Sequence, residues 1–310
     1  MIISVSRRCD IPRFRFDWFM ERLSAGFADV ANPFNAGQVK RIYFSGEGSL
    51  PPASVARQAG DIAACPSGAS FFVFWTRDPR SILEHGPELI RRGFRFYTMV
   101  TLTGYPAILE PNPPPLREVI AAIKISGTGS SGPCSEHRVV WRYDPVLLST
   151  LTGPEYHRRN FACLAAALEG AVNRVIISVY DDYAGAKRRL AALSRAGQGG
   201  AERDGFALLP HYDGGGRILP ELRQLLAELA ATARKHGIVP QSCAEAEDFS
   251  GLGIAPGACI DSGLIETICP GVGLSGKDKN QRPHCLCAGS VDIGSYGDCP
   301  AGCAYCYARR

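Results

Sequence analysis

The chain has 310 residues, 45% apolar and 21% charged, with 34 Lys plus Arg against 30 Asp plus Glu, which is the profile of a folded chain with one large core or two modest ones. Disorder and a collagen-like fibre are excluded, and a net charge of +4 is too small at this size to imply a nucleic-acid partner without a local basic patch. No run of about 18 uncharged apolar residues occurs and Arg7 and Arg8 follow only a short apolar start, so neither a membrane span nor a secretory segment is expected and a cytoplasmic location is.

Short apolar, β-branched or aromatic runs alternate with helix-like segments, the pattern of βα units and a mainly parallel sheet. Strands are expected to begin near Ile2, Ile42, Phe71, Phe96, Val139, Val175, Phe206 and Ile238. Eight strands in about 240 residues suit a TIM-like (βα) barrel, complete or partial. A helix is expected from Pro154 to Leu168. Another begins at Pro220, buries Leu222, Leu225, Leu226 and Leu229 on one face, and ends in Arg234, Lys235 and His236 before Gly237, with cations at the negative end of the helix dipole. The proline-rich stretch from Ala107 to Pro115 is expected to be a loop, and 126–132 and 197–200 to be connections.

Several strand runs end in polar clusters: Arg8 and Asp10 in SRRCD, Arg77 and Asp78 in WTRD, Thr101 to Tyr105 in TLTGY, Arg142 and Asp144 in WRYD, Asp181 and Asp182 in VYDDY, and Cys243 and Glu245 in SCAE. In a parallel barrel these ends gather on the face that carries active sites. Individually each could simply cap the next helix.

Twelve cysteines are distributed unevenly, four in residues 1–242 and eight in residues 243–310. The expected organisation is therefore a βα barrel over 1–242 and a cysteine-rich iron-sulfur module over 243–310, packed on the barrel mouth. Thiols clustered in a reducing compartment hold metal more often than disulfides. Cys299, Cys303 and Cys306 are spaced C-x3-C-x2-C, with Tyr305 before the last. Three thiolates on a tight loop can hold three irons of a 4Fe-4S cluster and leave the fourth open.

That spacing resembles the cluster motif of radical S-adenosylmethionine enzymes. The resemblance implies S-adenosylmethionine as a cofactor, bound through its amino and carboxylate groups at the open iron and cleaved to a 5'-deoxyadenosyl radical after one-electron reduction by a ferredoxin or flavodoxin. Those enzymes usually carry the motif after the first strand, together with a Gly-Gly-Glu-like segment. Here the motif lies at 299–306, so the tail would have to fold back over the mouth, and Gly214 to Gly216 are followed by Arg217.

Cys243, Cys259, Cys285 and Cys287 form a candidate set for a second cluster, with Cys269 as a possible substitute. Zinc is the competing metal, although one residue between Cys285 and Cys287 is a poor chelating spacing for it. Cys9, Cys65, Cys134 and Cys163 are expected to be packing or incidental. The charged run from Lys277 to Arg282 is either a solvated loop or a source of cations for the clusters or for a carboxylate or phosphate.

Taken in order, SRRCDIP (6–12), NPFN (32–35), VFWTRDP (73–79), TLTGY (101–105), WRYDP (141–145), CAE (243–245), CID (259–261), KDKNQR (277–282) and IGSYGDCPAGCAYCYA (293–308) resemble a bacterial family catalogued as domain of unknown function 1848. Cys9 stands where that pattern has Thr. The resemblance implies a cysteine-rich, iron-sulfur C-terminal part, and some members are described as similar to repair enzymes of the spore photoproduct lyase type.

The leading expectation is a radical S-adenosylmethionine-like enzyme. Cys299, Cys303 and Cys306 would hold its catalytic cluster, Arg142, Asp144 and Glu245 would act at the mouth, and Arg8, Asp10, Tyr305, Lys277 and Arg282 would contact the cofactor. A non-radical iron-sulfur or zinc protein that binds nucleic acid or a partner is a second reading, opposed by charge: residues 241–310 hold five Lys plus Arg against eight Asp plus Glu. A barrel enzyme, such as a hydrolase, with a purely structural cluster is a third.

Overall fold

The apolar runs form strands buried on both faces, the condition under which a parallel sheet is stable. The computed structural model describes residues 1–32, 35–45, 70–128, 139–197, 205–297 and 299–309. The strands are β1 (Ile2–Val5), β2 (Phe27–Asn32), β3 (Asn35–Tyr43), β4 (Phe71–Thr76), β5 (Arg95–Thr101), β6 (Val139–Val146), β7 (Arg174–Val179), β8 (Val239–Cys243), β9 (Ala255–Gly257) and β10 (Val291–Asp292). Eight of them build one sheet in the order β10-β1-β4-β5-β6-β7-β8-β9, and every neighbouring pair is parallel. Helices intervene at Arg80–Arg91, Leu116–Thr128, Pro154–Leu168, Ala184–Gly197 and Pro220–Lys235. The fold is thus mixed α/β, and the ladder runs from β10 to β9 with no pairing between those two ends among the described residues.

Side-chain alternation divides each strand between two cores. Ile3, Phe72, Phe74, Trp141 and Ile177 face the helices, where Phe161 stacks on Trp141 at 4.7 Å between centroids. Ile2, Val73, Trp75, Tyr97, Val140 and Ile176 face the other way, onto Ala258, Cys259, Ile260, Ile265, Cys285 and Cys287. The segment after Cys243 therefore covers one face of the sheet and adds a strand at each end, β9 beside β8 and β10 beside β1.

Two expected strands lie elsewhere. Ile42 sits in the antiparallel β2–β3 hairpin; Val39 is 61% exposed while Ile42 is buried, and such one-sided burial suits a surface hairpin rather than a doubly covered strand. The Phe206 segment forms no strand. Its backbone instead bonds beyond the end of β6, Thr150 N–H donating to Ala207 O (2.9 Å) and Leu209 N–H to Leu148 O (2.9 Å). The helices Pro154–Leu168 and Pro220–Lys235 lie where the periodicity places them, and 107–115 is a loop. The expected connection at 126–132 is helical to Thr128, and 197–200 begins with the last helical residue, Gly197; the remainder of both lies outside the described residues.

Two histidines are buried beside the end of β6. Tyr143 Oη donates to His157 Nδ1 (2.8 Å), whose Nε2 donates to Leu147 O (3.1 Å), and Leu148 N–H donates to His211 Nε2 (2.8 Å). Burial lowers both to about 4. A neutral buried His contributes stability that is complete above the ordinary His pKa and is lost as pH falls toward its folded value. Burial acts in the opposite sense on Asp10 (pushed up to about 6) and Glu245 (pushed up to about 8), so the effect is visible only by difference. The stability gap between the natural chain and His157→Gln, read from urea midpoints, is expected to narrow by about 2–3 kcal/mol from pH 7 to pH 4. A gap that stays constant would show that His157 titrates normally.

Candidate metal centre

Parallel strands bring their C-terminal ends to one edge, and there the polar clusters meet. They surround a cavity of about 440 Å³ whose walls include Arg8, Asp10, Arg142, Asp144, Arg282 and Tyr305, together with Cys243, Cys259, Cys285, Cys287, Cys299, Cys303 and Cys306. All seven candidate cysteine ligands face one space.

Four of them form a compact group. Cys243 ends β8, Cys259 follows β9, and Cys285 and Cys287 come from the loop before β10. The Sγ atoms of Cys243, Cys285 and Cys287 lie within 4.8 Å of one another, and Cys259 is in thiol contact with Cys243 and Cys287. Thiols donated by Cys243 and Cys287 hold the Cys259 sulfur well below its ordinary pKa; burial opposes this and the Arg142 guanidinium assists it. The backbone fixes the loop: Ile260 N–H donates to Cys287 Sγ (3.4 Å), Asp278 N–H to Cys287 O (2.9 Å) and Ala288 N–H to Ile260 O (2.9 Å). The donor set fits a thiophilic metal, since four converging sulfurs suit zinc or an iron-sulfur cluster and suit Mg²⁺ or Ca²⁺ poorly.

The other three sulfurs sit on the tail, where Gly302 takes a left-handed φ of +72°, a conformation other residues adopt only with strain. Burial pushes the Cys303 thiol up to about 11 even with Arg77 close by, and raises Cys299 as well. Burial thus favours the protonated thiols here, and a metal bound through these sulfurs would have to displace those protons.

What holds the tail here is a set of buried polar contacts. Arg77 donates to Glu110, to Tyr305 Oη (3.0 Å) and to Thr103 Oγ1 (3.4 Å), while Thr103 and Tyr305 both donate to Glu110. Ala304 N–H donates to Leu109 O (2.9 Å), and Arg189 donates to the carbonyls of Ala304, Cys306 and Arg309. On β10, Asp292 accepts from Ser4 Oγ and Ser6 Oγ (both 2.6 Å), Arg7 N–H (2.7 Å) and Gly294 N–H (3.0 Å). A Cβ on Gly294 would stand 1.9 Å from Ser6 Oγ, so this close approach requires glycine.

The structure distributes the remaining candidates. Arg142 is ion-paired with Asp144 and donates to Thr101 Oγ1 (3.1 Å). Arg282 pairs with Asp181, and Arg8 lies over Tyr296 at 5.1 Å and donates to Gly294 O (3.3 Å). Asp10 reaches the wall, but its carboxylate is engaged by Thr76 Oγ1 (2.7 Å), Arg77 N–H (2.9 Å) and Arg13 N–H (3.1 Å). Tyr305 likewise uses its hydroxyl in the Arg77–Glu110 contacts. Glu245 and Lys277 are not in the wall: Glu245 accepts Val179 N–H (2.9 Å), and Lys277 donates to Pro283 O in its own loop. Cys9 is buried at the cavity beside Cys299, Cys269 ends the helix Ser262–Ile268, Cys163 is exposed, and Cys65 and Cys134 lie outside the described residues.

Sequence reasoning gave no role to Glu110, Trp75, Arg189 or Asp292. Glu110 had one usable signal, as the lone acid in an apolar, proline-rich loop. Removing one partner from a buried ion pair strands the other. Glu110→Ala is therefore expected to destabilise the chain by about 3 kcal/mol and to expose residues 299–309 to protease while the main sheet remains folded. Unchanged protease resistance would contradict this role.

A search of curated proteins returns no match. Residues 2–308 match the family described as Domain of unknown function (DUF1848), and the chain belongs to that family.

Proposed function

We propose that this protein is an iron-sulfur enzyme of radical S-adenosylmethionine-like type, with Cys299, Cys303 and Cys306 holding a catalytic 4Fe-4S cluster and Cys243, Cys259, Cys285 and Cys287 holding a second. The observation that carries this reading is that both cysteine groups face one cavity at the C-terminal ends of parallel strands. In this reading the sheet is a partial barrel, since β1, β4, β5, β6, β7 and β8 lie side by side in chain order as in a barrel wall. A cluster with three protein ligands would supply an open iron for S-adenosylmethionine and an electron for its cleavage.

The chain's own residues do the rest. Arg8 and Arg282 offer guanidinium groups at the cavity to a cofactor or substrate carboxylate. Arg142 and Asp144 neutralise one another at the wall, leaving their outer atoms to orient a polar group. The Arg77–Glu110–Tyr305 contacts hold the tail and so exclude water from behind Cys303. Asp10 serves by fixing Arg77 and the helix Ile11–Phe14 rather than by touching the cofactor. The electron donor would be a ferredoxin or flavodoxin in the cytoplasm. The acidic balance of residues 241–310 disfavours a nucleic-acid surface there.

Zinc at the four-cysteine group is the second reading, favoured by the 4.8 Å within which the sulfurs of Cys243, Cys285 and Cys287 lie, not far above the roughly 3.8 Å between sulfurs that tetrahedral zinc imposes. Anaerobic reconstitution separates the two. The radical reading expects about eight irons and eight sulfides per chain, a drop of about four irons in Cys303→Ala, and 5'-deoxyadenosine on reduction with S-adenosylmethionine present. Zinc as the sole metal, or no 5'-deoxyadenosine from iron-loaded protein, defeats it.

A further inference from the structure

The four-cysteine group has two cationic neighbours. Arg142 interacts with Cys243 and Cys259, and Arg7 with Cys287. Both guanidinium groups lie over the ring of Trp75, at 4.9 and 5.9 Å from its centroid. Holding two like charges against one indole, at side-chain exposures of 19% and 15%, is unfavourable unless negative charge stands beside them.

Three carboxylates supply it. Asp144 pairs with Arg142, and Asp278 and Asp292 lie 3.7 and 3.9 Å from Arg7. Asp292 is already saturated by two serine hydroxyls and two backbone N–H groups. Two donors also lack acceptors: Arg142 Nε and Trp75 Nε1 are buried without a hydrogen-bond partner among the described residues. Such orphaned N–H groups are costly, and both residues line the cavity that the four cysteines face.

We propose that Arg142, Arg7 and Trp75 are positioning residues that set the reduction potential of an iron-sulfur cluster held by Cys243, Cys259, Cys285 and Cys287, making it a one-electron centre rather than an inert fastening. This rests on the iron-sulfur reading of that group. Reduction adds one electron from a low-potential one-electron donor, with no bond formed or broken, and leaves the centre one charge more negative. Two fixed guanidinium charges stabilise the more negative state to a greater degree, so the potential lies above that of the same centre with neutral side chains in place of the two arginines.

The test uses the full chain carrying C299A/C303A/C306A, so that one cysteine group remains. It is reconstituted anaerobically with iron and sulfide and titrated with dithionite and mediators, followed by electron paramagnetic resonance and visible absorption. About four irons per chain are expected. Arg142→Gln and Arg7→Gln should each shift the midpoint to more negative potential, Trp75→Phe should shift it by less, and Arg142→Lys should stay near the parent. Coincident midpoints across the parent, Arg142→Gln and Arg7→Gln overturn the inference while the iron content upholds the cluster. Zinc alone, or no metal, overturns both. Should Arg142→Gln lose its iron, Arg7→Gln decides the matter by the same two outcomes.

Discussion

Arg77, at the end of β4, donates from one buried guanidinium to Glu110, Thr103 and Tyr305, and the position of the cysteine tail depends on that clasp. Buried ion pairs add little net stability, because desolvation offsets attraction, yet breaking one is costly. What the pair supplies is uniqueness. Tyr305 can reach Glu110 only in one register of the tail, and that register turns Cys299, Cys303 and Cys306 toward the cavity. Asp10 fixes Arg77 from below through its backbone N–H, so the first strand, the fourth and the tail form one unit.

The two cysteine groups are stabilised differently. The compact group is supported internally, its thiols donating to one another and Arg142 adding positive charge. The tail group is packed with Ala301, Ala304, Leu109 and Tyr105, and burial pushes the Cys299 and Cys303 thiols up. A metal at the tail group would have to displace protons that burial retains.

Much of the framework was legible because its signals are local. Prolines at first-turn positions and one-sided leucine spacing mark the helices Pro154–Leu168 and Pro220–Lys235, and continuous apolar runs mark β1, β4, β5, β6 and β7. Ile42 and Phe206 misled because a short apolar run does not reveal whether one face or two will be covered. In the site, cysteine spacing picked out the seven sulfurs that share one cavity, and strand-end position picked out Arg8, Arg142 and Asp144 in its wall. Glu245, also at a strand end, and Lys277, from the charged run before Cys285, point their polar atoms at backbone groups, which only packing determines.

By itself the sequence determined that helices and parallel strands alternate, that charged groups follow the strand ends and that thiols crowd residues 243–310, since these rest on periodicity and spacing within a few turns of chain. The tertiary structure alone decided that the segment after Cys243 covers a face of the sheet and supplies a strand at each end. It alone brought the two cysteine groups into one cavity, and placed Arg7, Trp75 and Arg142 beside the compact one. Those outcomes depend on contacts between residues hundreds of positions apart, such as Ser4 with Asp292 and Arg77 with Tyr305, where burial and hydrogen-bond satisfaction choose among folds that local pattern leaves equivalent.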